Sequence, residues 1–182
     1  LRSMLAAGCA EAVMEGSSHG IHQSRVAGLN MEVATFLNLS RDHLDYHGTM
    51  EDYFSQKQAI FNGKNGSLPK FAVVNGDCPY GQRLLEEMPT QVRGLSFGEG
   101  AGNDFRVHDI SLSAEGSEFV LDCPAGSLVV RSPMLGRYNV MNVAAGMAIV
   151  HAVGFSVSKV AHKVGTFNGV DGRMETVERG QR

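Results

Sequence analysis

Four of the seven histidines in the chain, His19, His22, His43 and His47, fall in its first 50 residues, among Glu15, Arg25, Arg41, Asp42 and Asp45. The segment Asn38-Leu39-Ser40-Arg41-Asp42-His43-Leu44-Asp45-Tyr46-His47 follows an apolar run, so its polar groups gather at one strand end. His43 can serve there as a neutral imidazole ligand oriented by Asp42 or Asp45. The alternative is a capped loop with surface ion pairs. Glu15 also ends an apolar run. It either pairs with Arg25 or Arg41 or offers an oxygen to a hard cation. Magnesium, for instance, takes one or two carboxylates together with waters and phosphates.

Lys57 falls on a stripe with Met50, Tyr53, Phe54, Ile60 and Phe61, which puts it on the inward face of a helix. It either snorkels to the rim or is a buried, modifiable amine beside the site. A carbamate on that amine would be an anionic oxygen ligand for magnesium. Ser17-Ser18-His19-Gly20, with Gln23 and Arg25, supplies hydroxyls, an amide and a guanidinium suited to phosphate and carboxylate groups. A serine-hydrolase triad is disfavoured, because no G-x-S-x-G elbow is present. Asn139 and Asn142 are three apart and share a helix face. They read either as a polar first turn with its cap or as an amide pair reading a base edge. Arg173, in the polar stretch Gly169 to Glu175, could clamp a phosphate. A phosphate-cradling G-x-x-x-x-G-K-[ST] loop is missing; Gly63-Lys64-Asn65 is the nearest fragment.

These groups need a scaffold. The 182 residues, 43% hydrophobic and 19% charged, suit one globular domain. A net charge of −3 gives no basic stripe for nucleic acid. No apolar run approaches the roughly 20 residues that cross a bilayer. Cys9, Cys78 and Cys123 are scattered and odd in number, which argues for free thiols in a reducing compartment.

Residues 2–8 read as a helix tail closed by Gly8. Ala12-Val13-Met14, Val33 to Leu39, Phe71 to Val74 and Val92 to Phe97 read as buried strands. Helices are expected from Met50 toward Gly63, capped by Thr49 with Asp52, and around Tyr80 to Met88. The stretch from 104 to 133 reads as a three-stranded antiparallel meander. A buried helix covers Asn139 to Ala152, and a second, capped by Ser156, ends at Gly165. The fold class is therefore α/β, a mostly parallel sheet flanked by helices with a small antiparallel meander. Ligands would collect at the carboxyl ends of its strands, where Glu15 to Arg25, Asn38 to His47 and Asn75 to Asp77 fall.

Met14-Glu15-Gly16-Ser17-Ser18-His19-Gly20, Gln23-Ser24-Arg25-Val26 and Asn38 through Gly48 together resemble the central domain of the Mur ligases. Lys57, Gly136 to Asn142 and Gly172-Arg173-Met174-Glu175 fall where that family's pattern has them, so the resemblance covers residues 1–182. The Asp-His-Leu-Asp motif is shared with folylpolyglutamate ligases. The Ser-Ser-His-Gly loop with its Gln and Arg is particular to the branch that adds the third residue of the peptidoglycan stem peptide.

The resemblance implies a P-loop NTPase-like domain, here without its P-loop. It also implies ATP-driven joining of meso-diaminopimelate or L-lysine to UDP-N-acetylmuramoyl-L-alanyl-D-glutamate through an acyl phosphate. Carried over by motif, Glu15 and His43 would hold Mg2+, and Lys57 would be a carbamate helping to bind it. His43 and Lys57 are thus the catalytic candidates. Ser17, Gln23 and Arg25 would hold the UDP-linked substrate. Asn139 and Asn142 would lie by the adenine and Arg173 by the ATP phosphates. A bacterial cytoplasmic monomer, touching neither membrane nor nucleic acid, is expected. The P-loop is expected before Leu1 and an amino-acid-binding domain after Arg182, so that the chain by itself would not turn over ATP. The competing expectations are a non-catalytic UDP-sugar or partner-binding module, another Mur-type ligase, and a metal-dependent hydrolase built on His43, His47 and Asp45.

Overall fold

Six strands form one sheet in chain order in the computed structural model, which describes residues 2–167 and 169. The chain opens with helix α1 (Arg2–Ala6), closed past Gly8, whose φ of 82° is open to glycine without strain. Helix α2 (Ser18–His22) precedes strand β1 (Val33–Phe36), and helices α3 (Leu44–His47) and α4 (Met50–Gln58) follow it. Strand β2 (Phe71–Asn75), helix α5 (Pro79–Glu86) and strand β3 (Arg93–Gly98) complete the parallel part. Strands β4 (Phe105–Ser113), β5 (Gly116–Cys123) and β6 (Gly126–Ser132) form the expected antiparallel meander. Helices α6 (Arg137–Ala152) and α7 (Val157–Val164) close the described chain.

β2 shows why the parallel strands read as unbroken apolar runs. Val73 packs into the core formed with β4 to β6 and α6, whereas Ala72 and Val74 pack with Phe36, Phe54, Phe61 and Leu84. Both faces are covered, so alternation disappears. α6 carries its nearly continuous apolar run for the same reason: Val140, Val143, Ala144, Ala145, Met147 and Ala148 are all buried. At the start of α4 the Thr49 Oγ1 accepts the Asp52 N–H at 3.0 Å and donates to the Asp52 carboxylate at 2.6 Å. That arrangement satisfies an otherwise orphaned amide.

The meander belongs to the same sheet. β3 pairs with β4 in parallel through only Phe97↔Phe105 and Gly98↔Arg106. β4 therefore starts beside the end of β3 and carries the sheet past the carboxyl edge, and the loop from 99 to 104 needs no helical crossover.

Two expectations fail. Ala12-Val13-Met14 is not a buried strand: it is irregular, with Val13 97% and Met14 55% exposed. β1 is the outermost strand of the described sheet, and these three residues do not pair with its free edge. Their apolar side chains alone cannot satisfy an unpaired backbone. Glu15 consequently lies on an exposed irregular segment and not at a strand end. Ser18 to His22, expected as loop, is a short helix with Ser17 as its N-cap. All three cysteines are free. No helix among the described residues is long and apolar enough to cross a membrane.

Candidate active site

Three short elements converge on the ring of Tyr53. Ser17 caps α2, its Oγ accepting the Gly20 N–H at 3.1 Å, which leaves the hydroxyl proton for another acceptor. Ser18, the next residue, turns inward and is buried. Its Oγ lies 2.9 Å from Nε2 of His47, the buried last residue of α3. His47 stacks on Tyr53 of α4, with centroids 4.9 Å apart and planes 6° from parallel. Burial pushes the Tyr53 hydroxyl up, with Asp42 adding to the effect and a hydrogen bond to Ser18 opposing it.

The other imidazoles crowd around this pin. His19 lies 4.0 Å from Tyr46, 5.0 Å from His43 and 5.5 Å from His47, centroid to centroid. His22 Nδ1 meets the Tyr46 hydroxyl at 2.7 Å. Burial holds His47 below the usual imidazole range, and the positive charge that His19, His22 and His43 could carry lowers it further. His43 adopts a left-handed backbone with φ 55°, uncommon for a side chain with a Cβ. Asp42 stabilises that turn by accepting the His43 N–H at 2.8 Å, and its other oxygen lies 3.5 Å from His43 Nε2.

Lys57 sits one turn along α4 from Tyr53, half-buried as its place on the stripe requires, with Nζ 5.5 Å from the Tyr53 ring centroid. Burial lowers its pKa; the negative charge of Glu15 opposes that shift. Gly16, next to Glu15, lies against Ile60 at the end of the same helical stretch, where a Cβ would sit 3.7 Å from the Ile60 side chain. This contact sets the Glu15 segment beside Lys57 although the expected strand is absent. Gln23 and Arg25 are exposed and follow α2 directly. The Arg25 N–H closes the turn on the Gly20 carbonyl at 2.8 Å.

Asn139 and Asn142 form a second group, at the start of α6. The Asn139 amide donates to the Leu135 carbonyl at 2.8 Å, and Asn142 Nδ2 lies 3.3 Å from Asn139 Oδ1. The helix cap is Gly136 and not an asparagine. Arg173 lies outside the described residues.

The structure thus gathers His43, Lys57 and, through Ser18, the turn capped by Ser17 around one aromatic platform, and keeps the amide pair on a separate helix. Sequence reasoning missed Ser18 and Tyr53, the two residues that join the three elements. Tyr53 counted there only as part of a stripe, and nothing local distinguishes Ser18 from Ser17. Among the described residues, no three His, Cys, Asp or Glu side chains converge to hold a metal ion. His47 is engaged by Ser18 and Tyr53, which leaves the hydrolase expectation without its ligand set.

The chain thus carries clustered imidazoles, a half-buried lysine and a capped polar turn on short helices beside an α/β sheet. The Mur ligase middle domain model matches residues 1–150, and the chain belongs to that family. It is 41% identical over 177 residues to the UDP-N-acetylmuramoyl-L-alanyl-D-glutamate--2,6-diaminopimelate ligase of Thermosynechococcus vestitus, covering 97% of this chain and 35% of that protein. It is 39% identical over 184 residues to the Listeria monocytogenes enzyme of the same name, covering 99% of this chain and 37% of that one. The chain therefore spans about a third of the length of these curated relatives. A solved structure of a UDP-N-acetylmuramoyl-L-alanyl-D-glutamate--2,6-diaminopimelate ligase superposes with a TM-score of 0.81 at 34% identity, over 91% of this chain and 34% of that one.

Proposed function

We propose that this chain is the central part of an ATP-dependent ligase that joins a diamino acid to UDP-N-acetylmuramoyl-L-alanyl-D-glutamate in bacterial cell-wall synthesis. The packing of the Ser17 turn, the His43 turn and Lys57 around Tyr53 carries this reading. The relatives' names favour 2,6-diaminopimelate over lysine as the diamino acid. Such a step, using UDP-linked and ATP substrates, belongs in the cytoplasm, with one copy of the enzyme acting alone.

In this reading the glutamate carboxylate attacks the γ-phosphorus of ATP, and ADP leaves. The amine of the diamino acid then attacks the acyl carbon of the acyl phosphate, loses a proton, and phosphate departs as the amide forms. Both steps are helped mainly by positioning and charge neutralisation. Arg25 and Gln23 hold the carboxylate and phosphate groups of the UDP-linked substrate, and Ser17 donates its hydroxyl proton to it. Asn139 and Asn142 lie along the adenine, and Arg173 meets the phosphates. Glu15 supplies the oxygen a hard cation prefers, and His43 sits in a turn held open by Asp42. These donors suit magnesium only together with phosphate oxygens and water. Magnesium, when bound there, neutralises charge on the transferring phosphoryl group. The lowered pKa of Lys57 increases its neutral form. The neutral amine adds carbon dioxide to give a carbamate and a released proton, and the carbamate provides further anionic oxygens.

The test is ADP release by the intact gene product. It should require both UDP-N-acetylmuramoyl-L-alanyl-D-glutamate and the diamino acid. Lys57→Ala should lower turnover by about 100-fold or more with the melting temperature nearly unchanged. Full turnover in Lys57→Ala would overturn the assignment.

A further inference from the structure

The polar cluster Asn75 to Asp77 lies at the carboxyl edge, yet the proposed chemistry leaves it without a task. Its Asp77 ties the end of β2 to the loop that follows β3. The Asp77 carboxylate accepts the backbone N–H of Glu99 at 2.6 Å and of Gly100 at 3.0 Å, and the Asn103 amide at 2.9 Å. The fit is close on the loop side: a Cβ at Gly98 would lie 2.5 Å from the Asp77 carboxylate, and one at Gly100 2.8 Å. The loop from 99 to 104 is thereby fixed to the end of β2.

Glu99 then reaches onward. Its carboxylate receives the Arg137 guanidinium as a fork, through Nε at 2.8 Å and through Nη2. Arg137 is the first residue of α6, a helix with no acidic residue in its first turn and no side-chain cap. A cation there opposes the helix dipole, and Glu99 supplies the missing negative charge from another element. Arg137 stands two residues before Asn139 and five before Asn142. Both Arg137 and Glu99 are partly exposed, so their ion pair adds little to global stability. Its geometric consequence is larger, because a bidentate fork fixes orientation.

We infer that Asp77, Glu99 and Arg137 form a positioning bridge that holds the start of α6, and with it the Asn139–Asn142 amide pair, in register with the ends of β2 and β3. The inference deepens the proposed function, in which that pair lies along the adenine. Glu99 and Arg137 are positioning residues: they act through the amide pair.

The side-chain amide resonances of Asn139 and Asn142 in the free chain test the bridge without any nucleotide. Glu99→Gln and Asp77→Asn should each shift or broaden them. Glu118→Gln, which breaks the comparable Arg131–Glu118 pair on the meander, should leave them in place. Unmoved resonances in both bridge variants would overturn the inference. In the intact gene product, Glu99→Gln should raise the KM for ATP about tenfold with kcat within about twofold, the split expected when ground-state and transition-state binding are lost equally. An equal fall in kcat would contradict a pure positioning role. If the wild-type gene product uses no ATP, the proposed function fails, and the free-chain resonances still decide the bridge.

Discussion

The imidazole-rich corner and the meander each bury or half-bury a histidine among polar partners, and they treat it in opposite ways. In the corner, His47 has a serine hydroxyl, a tyrosine face and other imidazoles around it. In the meander, His108 has Asp109 at Nδ1, 3.0 Å away, and Asp122 at Nε2, 3.1 Å away. A neutral ring satisfies only one of those two acceptors. The corner is thus arranged for an uncharged imidazole, the meander for carboxylates. Antiparallel strands position the meander's polar face by cross-strand pairs such as Arg106↔Asp122 and Glu118↔Arg131. The corner's three short helices have no ladder and rely on the Ser18–His47–Tyr53 contacts, which is where a change should cost most.

His47→Ala sharpens the contrast most strongly. It removes a stacked ring and the hydrogen bond that ring makes with the buried Ser18 hydroxyl. A loss of about 2–4 kcal/mol is expected in urea unfolding. Lys57→Met comes next, with a dissociation of effects: turnover falls as in Lys57→Ala, while stability stays within about 1 kcal/mol, because an apolar side chain of similar size no longer has a charge to desolvate.

Acid separates the regions further. The folded-state pKa of His47 is depressed, so its contribution is fully present above the unfolded value of about 6.5 and is lost as pH falls through the folded value. Asp122 is also depressed, by its hydrogen bond from Ser127 first and by His108 and Arg106. Its contribution is lost only below the ordinary aspartate range. Protection against hydrogen exchange, taken relative to the intrinsic rate at each pH, should therefore fall in α2 and α3 between neutral pH and pH about 5, while β4 to β6 stay protected. Equal loosening of both regions would break the comparison. The smallest effect is expected for Glu118→Gln, whose exposed pair with Arg131 is worth less than about 0.5 kcal/mol.

Much of the scaffold was legible because local chemistry and tertiary packing agree. Phe71 to Val74 is apolar on both faces and is buried on both. Thr49 with Asp52 announces the start of α4. The turns at Glu115-Gly116 and Pro124-Ala125-Gly126 announce the meander. Lys57 was legible from its spacing alone. Other features depend on partners distant in sequence. Val13 and Met14 look like strand residues, but a strand is defined by its neighbour, and the described sheet ends at β1. Ser18 and His47 are 29 residues apart, and no periodicity links them. Asp77 reads in sequence as part of a polar cluster at the carboxyl edge, but nothing there links it to Glu99, or Glu99 to Arg137 38 residues further on.

In the proposed function, the corner around Tyr53, and not the meander, receives the UDP-linked substrate. Titrating UDP-N-acetylmuramoyl-L-alanyl-D-glutamate into the 15N-labelled chain tests it most directly. The account predicts amide shifts concentrated at Ser17 to Val26 and Asp42 to His47, with β4 to β6 unmoved. Shifts centred on the meander, or a corner that stays silent while the substrate binds elsewhere, would contradict it.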